Sequence, residues 1–264
     1  MDSLFESKVE AFCRSTSDIV GSEYFRTRKL EFELLRMLAR SFASNRFTNV
    51  LELGCGIGFK ALLMSQYVAH IDAVDIDTAY HGFKSSKKSS DIARAAFENI
   101  GIKNIDIFST DYAKFLNEHV NTYELIYSDY LLEHIPNITE LCRYMYLGLV
   151  PGGKMLHIVP NTHDALIQFS KENLQPFLVA MARVMKGYFN SAFGSLRRRP
   201  KRMFNGVFVP ITHSEFIHDY AQQFEVYRIE NYLFPMIEAG FEIVQILPLR
   251  EHSCAIFAQK PAMR

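Results

Sequence analysis

The chain has no net charge at pH 7, because 29 lysines and arginines balance 29 aspartates and glutamates. No global field therefore draws it to nucleic acid or to an anionic membrane. Cysteine is scarce, with Cys13, Cys55, Cys142 and Cys254 scattered along 264 residues. No two of them stand in C-x-x-C spacing, which argues against a zinc or redox pair, and a stapled framework is implausible at this length. They are expected to be reduced and mostly buried. Long apolar runs are also missing. The strongest in the second half, Phe177 to Met185, is broken by Arg183 and falls well short of the ~20 residues that span a bilayer. The first residues, Met1-Asp2-Ser3-Leu4-Phe5-Glu6, turn acidic early and lack the cationic start and apolar core of a secretory signal. No internal repeat or low-complexity tract is visible. What is left is the expectation of a cytoplasmic globular protein, and 48% hydrophobic residues provide for a large core.

Periodicity gives the organisation. In residues 1–45, Phe25, Leu30, Phe32, Leu34, Leu35 and Leu38 recur at roughly helical spacing. Strand and helix signals then alternate. Strands are expected at 48–53, 71–76, 105–108, 124–128 and 155–159. Helices are expected at 59–68, at 85–100 (closed by Gly101), at 112–119, and at 138–149 with a stop at Pro151-Gly152-Gly153. This alternation predicts a parallel sheet with right-handed crossovers. Further on, 215–239 reads as a long helix stopped by Gly240, followed by strands at 241–247 and 254–258. The link 248–253 is too short for a crossover helix, so these two strands must run antiparallel if they are neighbours. Four segments follow: an N-terminal helical segment (1–45), an α/β core (46–161), a helical insertion or lid (162–212) and the C-terminal part of the core (213–264).

The most informative stretch is Val50-Leu51-Glu52-Leu53-Gly54-Cys55-Gly56-Ile57-Gly58. A hydrophobic strand with an acidic residue near its end runs into three alternating glycines and then a helix. Glycines at such a turn let backbone approach a ligand, since no Cβ intervenes. The G-x-G-x-x-G of dinucleotide folds would need its last glycine where Phe59 stands. Glu52 also suits a pyrophosphate poorly, and a cofactor with a cationic amino group better. The pattern E-x-G-x-G-x-G resembles motif I of the class I S-adenosylmethionine-dependent methyltransferases. A second segment, Tyr123-Glu124-Leu125-Ile126-Tyr127-Ser128 through Leu132-Glu133-His134-Ile135-Pro136, is similar to a run in small-molecule members related to those of ubiquinone biosynthesis.

The resemblance implies a Rossmann-like α/β fold: a seven-stranded, mostly parallel sheet with an antiparallel last strand, in three α/β/α layers. It implies S-adenosylmethionine as methyl donor, leaving as S-adenosylhomocysteine. Glu52, Gly54 and Gly56 would then hold its methionine portion together with backbone at Ser128. Asp75 would take the ribose diol and Ile76 one face of the adenine; Asp111 would meet the exocyclic amine and Tyr112 would line the purine pocket. The residues alone leave other readings open, because Asp75 or Asp77 could cap a helix and Asp111 could be the N-cap of 112–119. His134 is the candidate catalytic base, since an ordinary imidazole accepts a proton near neutrality, or it shapes the acceptor pocket. His213 is a second catalytic candidate. His163, Asp164 and Tyr24 are further polar groups expected near the mouth. No metal-ligand cluster is apparent, and the absence of D/N-P-P-Y/F argues against amine methylation of DNA bases or glutamine.

The acceptor is expected to be a small or glycan-linked molecule, methylated first of all at a hydroxyl, with carbon and amine acceptors open. A non-catalytic binding protein is the alternative of a different class. The run Arg197-Arg198-Arg199-Pro200-Lys201-Arg202, near Phe189, Phe193, Met203, Phe204, Val207 and Phe208, is either a solvated loop or a landing place for an anionic amphiphile or membrane surface. No nucleic acid is expected as a partner.

Overall fold

The computed structural model describes residues 3–20, 24–26, 28–29, 32–33, 37, 47–77, 88–161, 228–249 and 253–262. The insertion 162–212, with His163, Asp164 and the basic run, and also His213, lies outside the described residues. The elements in chain order are α1 (Ser3–Val20), β1 (Asn49–Leu53), α2 (Phe59–Met64), β2 (His70–Asp75), α3 (Ser89–Ile100), β3 (Ile105–Ser109), α4 (Tyr112–Glu118), β4 (Tyr123–Asp129), a single 3₁₀ turn (Leu132–His134), α5 (Ile138–Gly148), β5 (Leu149–Pro160), α6 (Glu230–Glu238), β6 (Glu242–Pro248) and β7 (Ser253–Gln259). The sheet has seven strands in the order β3-β2-β1-β4-β5-β7-β6. β1 pairs in parallel with β2 and β4, β2 pairs in parallel with β3, and β6 pairs antiparallel with β7. This is the Rossmann-like α/β fold expected from the sequence, final hairpin included.

Two compact units emerge. The first contains Met1–Ser128, Leu147–Leu156 and Lys260–Arg264. Its central strands read as continuous apolar runs because both faces are covered: Val50, Leu51 and Leu53 of β1 and Ile71, Ala73 and Val74 of β2 are all fully buried. α1 docks through Phe12, whose ring lies 5.8 Å from Phe59 at the start of α2 and 5.7 Å from Phe97 in α3. Phe25 completes this cluster edge-to-face on Phe59 at 5.0 Å. Each such pair adds about 0.5–1.5 kcal/mol beyond its buried area. The helix expected over 59–68 is shorter, because the Ser65 hydroxyl donates to Leu62 O at 2.7 Å and its N–H is shared between Ala61 and Leu62, closing the last turn.

Pro151-Gly152-Gly153 does not separate helix from strand as expected, since α5 ends at Gly148 and β5 begins at once. The two glycines are part of the strand because Gly152 N–H donates to Lys260 O at 3.0 Å and Lys260 N–H to Gly153 O at 2.9 Å. The second unit contains Asp129–Tyr146 and His157–Gln259. In it Asn137 and Glu140 form a reciprocal cap, with Asn137 Oδ1 accepting from Glu140 N–H at 3.2 Å and its amide donating to Glu140 Oε2 at 2.8 Å. α6 stops at Gly240, as its sequence position suggests, and Phe241 then packs edge-to-face on Tyr146 at 5.2 Å. Of the helix expected over 215–239, residues 215–227 are outside the described residues.

Candidate active site

The glycine turn sits where β1 passes into α2, at the carboxyl end of the parallel strands, the place where open α/β sheets bind ligands. Gly54, Gly56 and Gly58 all have positive φ. At Gly56 (φ 55) the backbone N–H donates to Asp75 Oδ2 at 2.8 Å. The turn and the carboxylate at the end of β2 are thereby locked together. Among the described residues, a Cβ at Gly56 would meet nothing closer than the Tyr24 hydroxyl at 4.0 Å, which leaves space above the turn. Gly58 is a different case: a Cβ there would stand 2.7 Å from Phe97 and 3.3 Å from Ala93. One glycine leaves room for a ligand, and the other lets α3 pack against the turn.

Asp75 Oδ1 accepts from Asp77 N–H at 2.8 Å. An ionised carboxylate has about four acceptor positions; among the described residues the two backbone N–H groups and the Ser89 hydroxyl bear on it, which leaves capacity for a ribose hydroxyl. Burial raises its pKa, and the Gly56 and Asp77 N–H groups work against that rise. The capping role belongs to Asp77. Its Oδ1 accepts from Ser90 N–H at 2.9 Å and from the Ser89 hydroxyl at 3.0 Å; its Oδ2 accepts from the hydroxyls of Ser90, at 2.7 Å, and Ser109. Burial pushes its carboxyl up, but the hydrogen bonds from Ser109, Ser90 and Ser89 outweigh that and hold it below the ordinary range. Asp77 supplies from outside the cap that Lys88, at the helix N-terminus, cannot.

Ile76 lies just past the end of β2 and is 42% exposed, an apolar side chain left uncovered beside Asp75. Tyr112 is buried near Asp75, and its hydroxyl is hydrogen-bonded to the backbone of Ile76; burial first and the Asp75 charge second push its pKa up. Asp111 caps α4 by accepting from Lys114 N–H at 3.0 Å and stays exposed. Ser128 is fully buried at the end of β4, in register with Leu53 beside the turn. The structure therefore gathers Gly54, Gly56, Asp75, Ile76, Tyr112 and Ser128 past the carboxyl ends of β1, β2, β3 and β4 in the first unit. His134 belongs to the second unit, where it ends the 3₁₀ turn, 57% exposed, with Nε2 3.9 Å from Glu133 Oε1.

Glu52 points into the protein and is 3% exposed. It is in register with Tyr127 on β4, whose hydroxyl donates to Glu52 Oε2 at 3.0 Å. Burial raises the Glu52 pKa to about 7, against the pull of Lys60, of Tyr127 and of the Ala61 backbone. Lys60, the second residue of α2, is itself buried. Sequence reading picked out neither Lys60 nor the Tyr127 hydroxyl; the signal was the strand pairing, which sets Tyr127 beside Glu52 once Val50 is aligned with Leu125. The acid of the motif thus braces the turn from behind. Among the described residues, no helix is long and apolar enough to cross a membrane.

Comparison with known proteins gives the family and the fold. Residues 22–246 match a family described as a methyltransferase domain. The sterol 4-C-methyltransferase of Caenorhabditis elegans is 27% identical over 136 residues, 50% of this chain and 38% of that protein. The chain thus matches well under half of that relative's length. A protein of Pyrococcus horikoshii OT3 superposes with a TM-score of 0.58 at 15% identity, covering 93% of this chain and 95% of the other. Geranyl diphosphate C-methyltransferase from Streptomyces coelicolor A3(2), solved with Mg²⁺, geranyl diphosphate and S-adenosyl-L-homocysteine, superposes with a TM-score of 0.55 at 10% identity over 89% of this chain and 80% of the other.

Proposed function

Because the chain belongs to the methyltransferase domain family, we propose that it transfers the methyl group of S-adenosylmethionine to a small molecule with an apolar, lipid-like skeleton. The observation that carries the cofactor half of this reading is the bond from Gly56 N–H to Asp75, which ties the turn to the carboxylate at the end of β2. The residues fit the cofactor. Space above Gly56 among the described residues suits a backbone-hugging ligand, Asp75 keeps acceptor capacity, and exposed Ile76 offers a surface for a purine. We assign Gly54, Gly56 and Ser128 to the methionine portion, Asp75 to the ribose, and Ile76, Asp111 and Tyr112 to the adenine. Glu52 supports the turn from inside.

When bound, the cofactor supplies a methyl group already activated by the sulfonium charge. The protein's part is then chiefly alignment and exclusion of water, and alignment can be worth about 7–11 kcal/mol. A base is a secondary aid, typically ~10²–10⁴-fold, and we assign it to His134, whose ring is exposed beside Glu133. His213 is the second candidate for that role. The lipid-like acceptor is supported by the sterol substrate in the name of one relative and by the apolar, basic sequence of 162–212, which we propose as a lid.

A hydroxyl oxygen is the first acceptor atom proposed. A carbon acceptor is the second reading, favoured by two relatives named as C-methyltransferases. Incubation with a ¹³C-methyl donor and a panel of sterols, isoprenoid alcohols and glycolipids tests the assignment. Nuclear magnetic resonance of the product separates a methoxy group from a C-methyl group. A protein that binds S-adenosylhomocysteine yet labels none of these acceptors would refute the lipid-like class while leaving the cofactor site intact.

A further inference from the structure

We propose that His70, Asp72 and Asp106 form a binding site for a divalent transition-metal ion of the zinc type, at the amino ends of β2 and β3 and away from the glycine turn. Alternation along a strand puts His70 and Asp72 on one face of β2, and the register pairs Asp72 with Asp106 on β3. His70 Nε2 lies 2.9 Å from Asp72 Oδ1 and 3.7 Å from Asp106 Oδ2, and one ligand atom from each residue falls within 4.8 Å of the others. Around an ion with bonds of about 2.0–2.2 Å, ligand atoms stand roughly 3.0–3.5 Å apart. Small side-chain adjustments therefore convert this cluster into three coordinating groups.

The charge arrangement asks for a cation. Asp72 and Asp106 are carboxylates at directly paired positions, which is destabilising unless something positive lies between them. Asp72 is 8% exposed, in a strand whose neighbours Ile71, Ala73 and Val74 are fully buried. It is also oriented: the Tyr123 hydroxyl on β4 donates to Asp72 Oδ2 at 2.6 Å and leaves Oδ1 facing His70. An outer hydrogen bond of this kind is how ligating carboxylates are commonly fixed. One imidazole with two carboxylates favours a first-row divalent ion over a softer thiolate-seeking one. Asp106, with a side chain 64% exposed, leaves the remaining positions open to water. The ligands come from two strands more than thirty residues apart, so no linear spacing announces them.

The competing account is an ion-pair cluster in which a protonated His70 bridges both acids. Titration calorimetry of the metal-stripped full-length protein with zinc chloride, at pH 7.5 in a non-chelating buffer, separates the two. One equivalent of zinc should bind and raise the melting temperature. Asp106→Asn and His70→Gln should each weaken zinc binding by roughly tenfold or more. Both variants should keep wild-type affinity for S-adenosylhomocysteine, which also shows that they fold. Absence of stoichiometric zinc uptake by the wild type overturns the site, as does equal uptake by both variants, which would mean adventitious binding elsewhere.

Discussion

At the scale of single residues, Glu52 couples the cofactor turn to pH. Its carboxyl is buried and its pKa is raised from an ordinary 4.5 to about 7. Between those values the folded protein holds a proton that the unfolded chain has lost. The slope of stability with pH is then negative: the contribution is whole below about 4.5, falls as pH rises, and is gone above about 7. Glu52→Gln removes this slope. The loss of unfolding free energy between pH 5 and pH 8 should shrink by about 2–3 kcal/mol, read from urea unfolding of the ligand-free protein at both pH values. An unchanged loss would mean that Glu52 ionises freely in the folded state. Asp75 makes a separate prediction. Asp75→Ala deletes charge-assisted hydrogen bonds worth about 1.5–3 kcal/mol each, so S-adenosylhomocysteine affinity should drop by roughly tenfold or more in calorimetry. A drop below about twofold would leave Asp75 only its bonds to Gly56 and Asp77.

At the scale of elements, two glycines of one turn should fail in different ways. Gly56→Ala has room for its methyl group, so its folding cost is limited to the left-handed backbone, about 1–2 kcal/mol. The same methyl intrudes where a ligand must approach, and cofactor affinity should fall by roughly tenfold or more. Gly58→Ala pushes into Phe97 and Ala93 of α3, adding about 1–3 kcal/mol of overpacking to the backbone strain. It should melt well below Gly56→Ala in calorimetric scans. Equal melting points would show that α3 yields freely. The sequence made the turn legible because glycine spacing is local. It made β6 and β7 legible because a link of six residues forces their direction. It concealed the start of β5, since the pairing of Gly152 and Gly153 with Lys260 joins positions over a hundred residues apart. Tyr127, Lys60 and the place of Asp106 beside His70 were hidden for the same reason: their partners are neighbours across strands or turns.

At the scale of the whole molecule, binding should stabilise the folded chain by mass action. Adding S-adenosylhomocysteine at 100 times its dissociation constant should contribute about 2.7 kcal/mol, seen as a rise in melting temperature that falls to about half or less in Gly56→Ala at the same concentration. The cluster of Phe12, Phe25, Phe59 and Phe97 has a consequence for the birth of the protein. α1 ends at Val20, yet the ring it packs on in α3 is Phe97. At roughly 5–20 residues per second, about 4–15 s of translation separate the two. For that interval Phe12 has emerged without its final shelter, a natural handle for a ribosome-associated chaperone.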